Sequence, residues 1–295
     1  MKCTTAILTL MLLTTVSCYR SSAQDVNSFT QFHIYSSHTS FPDTGRRAGH
    51  VYDKKLYTFK EHYYDSTVLI IVPKNLNASK KVDLVFWFHG WGNNVDSAAV
   101  RYELTRQFIA SRCNAVLVLA ETARNAPDSY GGKLENPGIF KLLVADVLSG
   151  LAEKRLVRQN CAAGHILLAG HSGAYRVMAR ILKNGQIPVD EVMLFDALYA
   201  ETNTYMDWIK ADRQHRFADI YTDHGGTLDE SKKMAGMIDD ADMSNFEVEE
   251  TKLIPAQLDA HPLIFIHSLK EHNDVVSPDN FRLMLEHEPF LKALK

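Results

Sequence analysis

One stretch limits what this chain can fold into more than any other: Ile166-Leu-Leu-Ala-Gly170-His-Ser172-Gly-Ala174-Tyr-Arg-Val-Met-Ala-Arg-Ile-Leu182. Ile166 to Ala169 is a short apolar run bounded by a glycine, the pattern of a strand buried on both faces of a parallel sheet. From Ala174 to Leu182, Val177, Ile181 and Leu182 recur at helical spacing beside Arg176 and Arg180. The chain therefore leaves a strand and enters a helix within a few residues. A turn that sharp needs small residues around Ser172, because a Cβ there would collide with neighbouring backbone. It lifts the Ser172 hydroxyl above the sheet edge, over a helix N-terminus whose N–H groups can hold negative charge. A serine so placed, on an elbow between strand and helix that matches G-x-S-x-G with Ala174 in the last position, suits a nucleophile. The bland alternative is a Gly/Ser turn without chemistry. The rest of the chain decides between them by whether it supplies a base, an acid and oxyanion donors.

The first 23 residues differ from the rest. Lys2 gives a minimal positive start, and Ala6 to Val16 is an apolar run too short to span a bilayer. Ser21-Ser22-Ala23 is a small-x-small site, so the expectation is a signal peptide over 1–23 and a mature single domain over 24–295. Thr15-Val16-Ser17-Cys18 is a loose lipobox, which would instead leave Cys18 as a lipid-anchored N-terminus. Both exits place the protein outside the cytoplasm, secreted or periplasmic in one case and surface-anchored in the other. The full chain, 46% hydrophobic and 23% charged, has the composition of an ordinary globular protein. A net charge of -3 and the lack of any basic run give no reason to expect nucleic acid. Cys113 and Cys161 each precede a strand-like run; a disulfide between them requires those strands to be neighbours, and two buried thiols is the equal alternative.

Taken in order, Phe29 to Ser36 alternates like an edge strand, while Arg46 to Lys60 has no clear period. Ser66 to Val72, stopped by Pro73, is a strand. Val82 to Phe88 is another and runs into His89-Gly90-Trp91-Gly92-Asn93-Asn94, an unusual backbone at the strand edge where ligands bind in open α/β sheets. Ser97 to Cys113 has helical spacing, and Ala115 to Ala120 is a strand. The polar loop Glu121 to Glu135 is longer than a connection needs and lies at the same edge. Gly138 to Gln159 reads as a helix, Val192 to Phe195 as a strand, Glu201 to Asp212 as a helix and Phe217 to Tyr221 as a strand. Thr227 with Glu230 spells a capping box for a helix from Leu228 to Met237. Glu247 to Leu253 and Pro262 to Ser268 both compete to complete the sheet, and Pro278 opens a final helix. Asn77-Ala-Ser79 fits a glycosylation sequon, which matters only in a eukaryotic secretory host.

Strands alternating with helices predict an α/β fold: a mostly parallel central sheet flanked by helices on both faces. The oxyanion-type loop, Ser172, an aspartate and His272 follow one another along the chain. On these residues the chain, over roughly 30–295, resembles the α/β-hydrolase superfamily, whose triad runs nucleophile, acid, histidine. His-Gly-Trp-Gly and Glu-His-Asn-Asp-Val-Val look like exported bacterial esterase-type members. The resemblance implies Ser172 as nucleophile and His272, between the last apolar run and the last helix, as base. His261 rivals it if Glu247 to Leu253 is the final strand; His224 is a further competitor, His267 reads as structural, and His171 as packing beside the elbow. Asp196 and Asp223 both end strands. The superfamily's commoner position favours Asp223, but that residue sits in a Gly-rich turn where Asp is ordinary. Asp196 lies between Phe195 and Ala197-Leu198-Tyr199, where a carboxylate is costly without a partner, and it is the preferred acid. The backbone N–H groups of Trp91 and Gly173 would form the oxyanion hole.

The expected activity is serine hydrolysis of a carboxylic ester through an acyl-enzyme, on a small-molecule or glycan-linked acyl substrate. An amidase or peptidase on the same triad, and a non-catalytic binding protein of the same fold, are the alternatives. No metal or organic cofactor is implied: the chain has no His-Glu-x-x-His, no Cys-x-x-Cys and no dinucleotide fingerprint.

Overall fold

A computed structural model describes residues 28–294. The expected signal peptide and the Cys18 lipobox lie outside those residues. Nine strands form one sheet: β1 (Phe29–Tyr35), β4 (Thr67–Pro73), β5 (Lys81–Phe88), β6 (Ala115–Ala120), β7 (Ala162–His171), β8 (Glu191–Phe195), β9 (Arg216–Thr222), β10 (Phe246–Glu249) and β11 (Leu263–Ser268). Their order is β1-β4-β6-β5-β7-β8-β9-β11-β10. β1 and β4 pair antiparallel, as do β4 and β6; every other pairing is parallel. A short hairpin, β2 (His50–Tyr52) with β3 (Lys55–Tyr57), stands apart from the sheet.

The continuous apolar runs are explained by what covers them. Leu84, Phe86 and Phe88 of β5 face one buried cluster, with residues of α4 (Ile139–Glu153), α5 (Tyr175–Asn184), α6 (Thr202–Ala211) and α7 (Leu228–Asp239). Val85 and Trp87 face the other, with α2 (Val95–Arg101), α3 (Leu104–Ser111) and α9 (Asn280–Glu286). Two single-turn helices, α1 (Phe59–His62) and α8 (Gln257–Ala260), sit in connections. A strand covered on both faces has no polar side to alternate with. Among the described residues no helix is long and apolar enough to cross a membrane.

The structure corrects several sequence expectations. The helix expected from Ser97 to Cys113 is two, broken at Tyr102-Glu103, where Glu103 takes a left-handed conformation (φ 49°). The helix expected to reach Gln159 stops at Glu153. Both candidates for the last strand enter the sheet, β11 beside β9 and β10 outside it. Among the described residues, Cys113 and Cys161 are both free, and both are buried. Their strands are not neighbours, because β5 lies between β6 and β7.

Candidate active site

The connections of β5, β7 and β8 emerge at the carboxyl edge of the sheet, where the strand order runs from β5 to β6 on one side and from β5 to β7 on the other, the place at which open α/β sheets bind ligands. β7 ends at His171, and a single 3-10 turn, Ser172–Ala174, leads directly into α5. Ser172 sits at φ 55°, the left-handed region that a non-glycine residue occupies only when its surroundings demand it. The oxyanion-type loop presses on this turn. A Cβ added to Gly90 would fall 2.7 Å from Ser172 Cβ, and one at Gly173 would fall 2.5 Å from Trp91 Cδ1. The Trp91 indole N–H donates to Ser129 Oγ at 2.7 Å, which fixes its ring against the residue after Ser172.

Asp196 ends β8 at φ 47°, a conformation Asp tolerates better than most residues. Its side chain is fully buried. Burying a bare carboxylate costs several kcal/mol, and four donors offset that cost. His272 Nδ1 donates to Oδ2 at 2.6 Å, Thr222 N to Oδ1 at 3.1 Å, Thr222 Oγ1 to Oδ2 at 2.8 Å, and Thr227 Oγ1 to Oδ1. Charge-assisted bonds contribute roughly 1.5–3 kcal/mol each. Burial pushes the Asp196 carboxyl up, but the bonds from His272, Thr227 and Thr222 outweigh it and hold the group below its ordinary range. Asp196 is therefore an anion, so Nδ1 of His272 carries the proton and Nε2 is left to accept one.

His272 is about a quarter exposed and lies against the elbow. Its ring centroid is 4.5 Å from that of His171, the residue before Ser172. His171 Nε2 donates to the His272 carbonyl at 2.9 Å, and Tyr102 OH donates to His171 Nδ1 at 3.1 Å. Burial, reinforced by the neighbouring His272, pushes His171 down to about 3, so it stays neutral beside the second imidazole. The Tyr199 ring stands edge-on to His272 at 6.3 Å, with its hydroxyl donating to Gly225 O at 2.6 Å. Beneath the oxyanion-type loop, buried His89 bonds through Nε2 to Glu121 Oε1 at 2.6 Å and through Nδ1 to Gly90 O at 2.8 Å. Burial lowers the His89 pKa, yet the Glu121 charge overrides it and the net shift is upward.

The competing residues lie elsewhere. Asp223 accepts from His267 Nε2 at 2.8 Å, and His267 stacks on Tyr221, so that pair forms a unit of its own. His261 stacks on Phe246 at the opposite sheet edge, just before β11 begins. Thr222 and Thr227 are the site residues that sequence reasoning missed. Thr227 makes no capping bond to α7, and Glu230 instead accepts from Thr202 Oγ1 at 2.6 Å. The hydroxyl that reads as a cap serves Asp196. Gly225 closes this pocket: an added Cβ would sit 1.7 Å from Asp196 Oδ2. Gly225→Ala is expected to displace Asp196 from His272, because the added methyl would take the place of the carboxylate oxygen. Loss of the downfield His272 Nδ1–H proton resonance in a variant with an unaltered circular dichroism spectrum checks this.

No family model and no curated protein matches this chain. Solved structures do. A ferulic acid esterase aligns with a TM-score of 0.52 at 12% identity, covering 84% of this chain and 91% of its own. A mutant feruloyl esterase module from Clostridium thermocellum, complexed with sinapinate, aligns at 0.53 and 8% identity over 88% of each chain. A fluorophosphonate-binding serine hydrolase of Staphylococcus aureus aligns at 0.50 and 11%, covering 88% of this chain and 98% of its own. At such identities the likeness is one of fold, and the fold is that of the α/β-hydrolases.

Proposed function

We propose that this protein is a serine hydrolase that cleaves a carboxylic ester through an acyl-enzyme. The observation that carries the reading is the buried, four-donor Asp196 bonded to His272, beside a serine on a left-handed strand-to-helix turn. In this mechanism Ser172 Oγ attacks the ester carbonyl while His272 Nε2 takes its proton. The Trp91 and Gly173 N–H groups donate to the developing oxyanion, each contributing about 3 kcal/mol to the barrier reduction. The imidazolium, held by ionised Asp196, returns the proton to the leaving alcohol. Water then repeats the sequence on the acyl-enzyme.

An ester fits better than an amide on one ground, an analogy: two of the solved structures of like fold are named as ferulic acid or feruloyl esterases. The half-exposed rings of Trp91 and Tyr52, edge-on at 5.3 Å beside the elbow, suit an aromatic acyl group or a sugar of a glycan-linked ester. The mature enzyme would begin at Gln24 and act outside the cytoplasm, or be held at a membrane through Cys18. Labelling with a fluorophosphonate, followed by a panel of matched esters and anilides, tests the proposal. Stoichiometric labelling with turnover of esters is expected. A folded protein that takes no label at all would return the chain to the non-catalytic reading.

A further inference from the structure

A groove of about 360 Å³ lies well away from Ser172 and does no part of the chemistry above. Tyr35 and Tyr64 line it, and these residues are 80% and 61% exposed. A single exposed tyrosine is unremarkable, but here two line one concavity, on backbone that the sheet and its edge hold in place. Tyr35 ends β1, and the next residue is tied to the neighbouring strand by Ser36 N donating to Ser66 O at 3.0 Å. Tyr64 packs edge-on to Phe59 at 5.6 Å. Asp65 accepts from Thr67 N at 2.9 Å and Thr67 Oγ1 at 2.6 Å, and Arg124 pairs with its other oxygen. Arg124 N donates to His62 O at 3.0 Å, which ties the wall together. Among the described residues, only one guanidinium nitrogen of Arg124 has a hydrogen-bond acceptor.

The groove shares the sheet edge with Ser172. The end of β1 pairs with the start of antiparallel β4, and that start pairs with the end of β6. The ends of β6, β5 and β7 lie at one edge. Four strand spacings, β1-β4-β6-β5-β7, put Tyr35 roughly 19 Å from the elbow. Trp91 and Tyr52 supply another half-exposed aromatic pair on the same edge, beside the elbow.

We propose that the Tyr35–Tyr64 groove binds a neutral polysaccharide chain that carries the ester, as a distal subsite of the enzyme. This rests on the esterase reading and adds its substrate class. A pyranose presents a C–H face, which packs on a phenol ring, and hydroxyls at its rim, which need both donors and acceptors. The groove offers that combination: two open ring faces, the carboxylate of Asp65, and the unused N–H donors of Arg124. Its charges select against an ionic polymer. Lys60 and Arg124 are balanced by Glu61 and Asp65, so neither sign of polyelectrolyte gains from the field. A lipid chain would need a lining without four charged groups.

Affinity electrophoresis through gels containing xylan, mixed-linkage β-glucan or galactomannan tests the proposal, with dextran sulfate as a polyanion control. At least one neutral polysaccharide is expected to retard the wild-type protein. Tyr35→Ala/Tyr64→Ala should weaken that binding by about tenfold or more, while turnover of para-nitrophenyl acetate stays within about twofold of wild type. Both side chains are exposed, so the double variant should fold. Mobility unaffected by every neutral gel, retardation by dextran sulfate alone, or a double variant retarded like wild type would each overturn the subsite. Ser172→Ala should be retarded like wild type. Binding without hydrolysis in the wild type would sink the esterase reading alone, and hydrolysis without binding the subsite alone.

Discussion

Ser172→Ala is expected to abolish fluorophosphonate labelling and lower kcat on an ester by about 10⁶, with His272→Ala costing about as much and Asp196→Asn about 10⁴. The double variant Ser172→Ala/His272→Ala should be no worse than either single one. These values follow from the roles, not from a sum of contacts. Without Ser172 there is no covalent step for His272 to assist, and without a base the Ser172 hydroxyl is a poor nucleophile. Asp196→Asn is milder because Ser172, His272 and the oxyanion donors remain. It still costs much, because an amide nitrogen facing Nδ1 favours the tautomer with its proton on Nε2, the atom that must accept. Four donors converge on Asp196, so the amide also leaves at least one of them opposed by its own N–H. Single-turnover kinetics with para-nitrophenyl acetate reads acylation directly. An Asp196→Asn variant with wild-type acylation, alongside an impaired Asp223→Asn, would transfer the role to the Asp223–His267 pair.

How much of this was legible before the structure depends on which physical signal each residue leaves in the sequence. The strands were legible because burial on both faces forces continuous apolar runs, as in Val82 to Phe88. The spatial partner of His272 was legible from the company Asp196 keeps: a carboxylate set among Phe195, Ala197 and Leu198 demands donors. What supplies most of those donors was not legible. Thr227 stands three residues before Glu230, which spells a helix cap, and only three-dimensional packing diverts its hydroxyl to Asp196. Arg46 to Lys60 has no period because it holds a hairpin that is not part of the sheet, yet that hairpin brings Tyr52 to Trp91. The relation of Cys113 to Cys161 depends on strand order, which local pattern does not encode: β5, earlier in the chain, inserts between β6 and β7.

Raising the pH from about 5 to about 9 is expected to destabilise the fold, and Glu191→Gln/Asp219→Asn to remove most of that loss. Both acids are fully buried, Glu191 at the start of β8 and Asp219 at the middle of β9. Among the described residues, Glu191 Oε2 and Asp219 Oδ1 have no hydrogen-bond partner. Glu191 faces Arg216 at 4.0 Å, but Arg216 also faces Glu288 at 3.6 Å, so one cation is shared between two carboxyls. Burial pushes Glu191 up to about 8 against the pull of Arg216, and pushes Asp219 up to about 7 against the bond from Ser231. In the unfolded chain these groups lose their protons near 4.5 and 3.8. Between those limits the folded state holds more protons than the unfolded one, so stability falls as pH rises, by about 1.4 kcal/mol per unit for each group. The contribution is complete below the unfolded values and gone above the folded ones. Asp196 acts with the opposite sign: its carboxyl is held low, so its contribution exists above 3.8 and is lost as pH falls through the folded value. Buried, neutral His171 acts in the same direction as Asp196, because the unfolded chain protonates it below 6.5 and the folded protein only near 3. The most stable window is therefore bounded below by Asp196 and His171 and above by the buried acids Glu191 and Asp219. Urea unfolding at several pH values separates the two limits. The double variant should show a much shallower fall in midpoint from about pH 7 to 9 than wild type, whereas a midpoint that falls in parallel with wild type would mean that neither acid is protonated in the native protein.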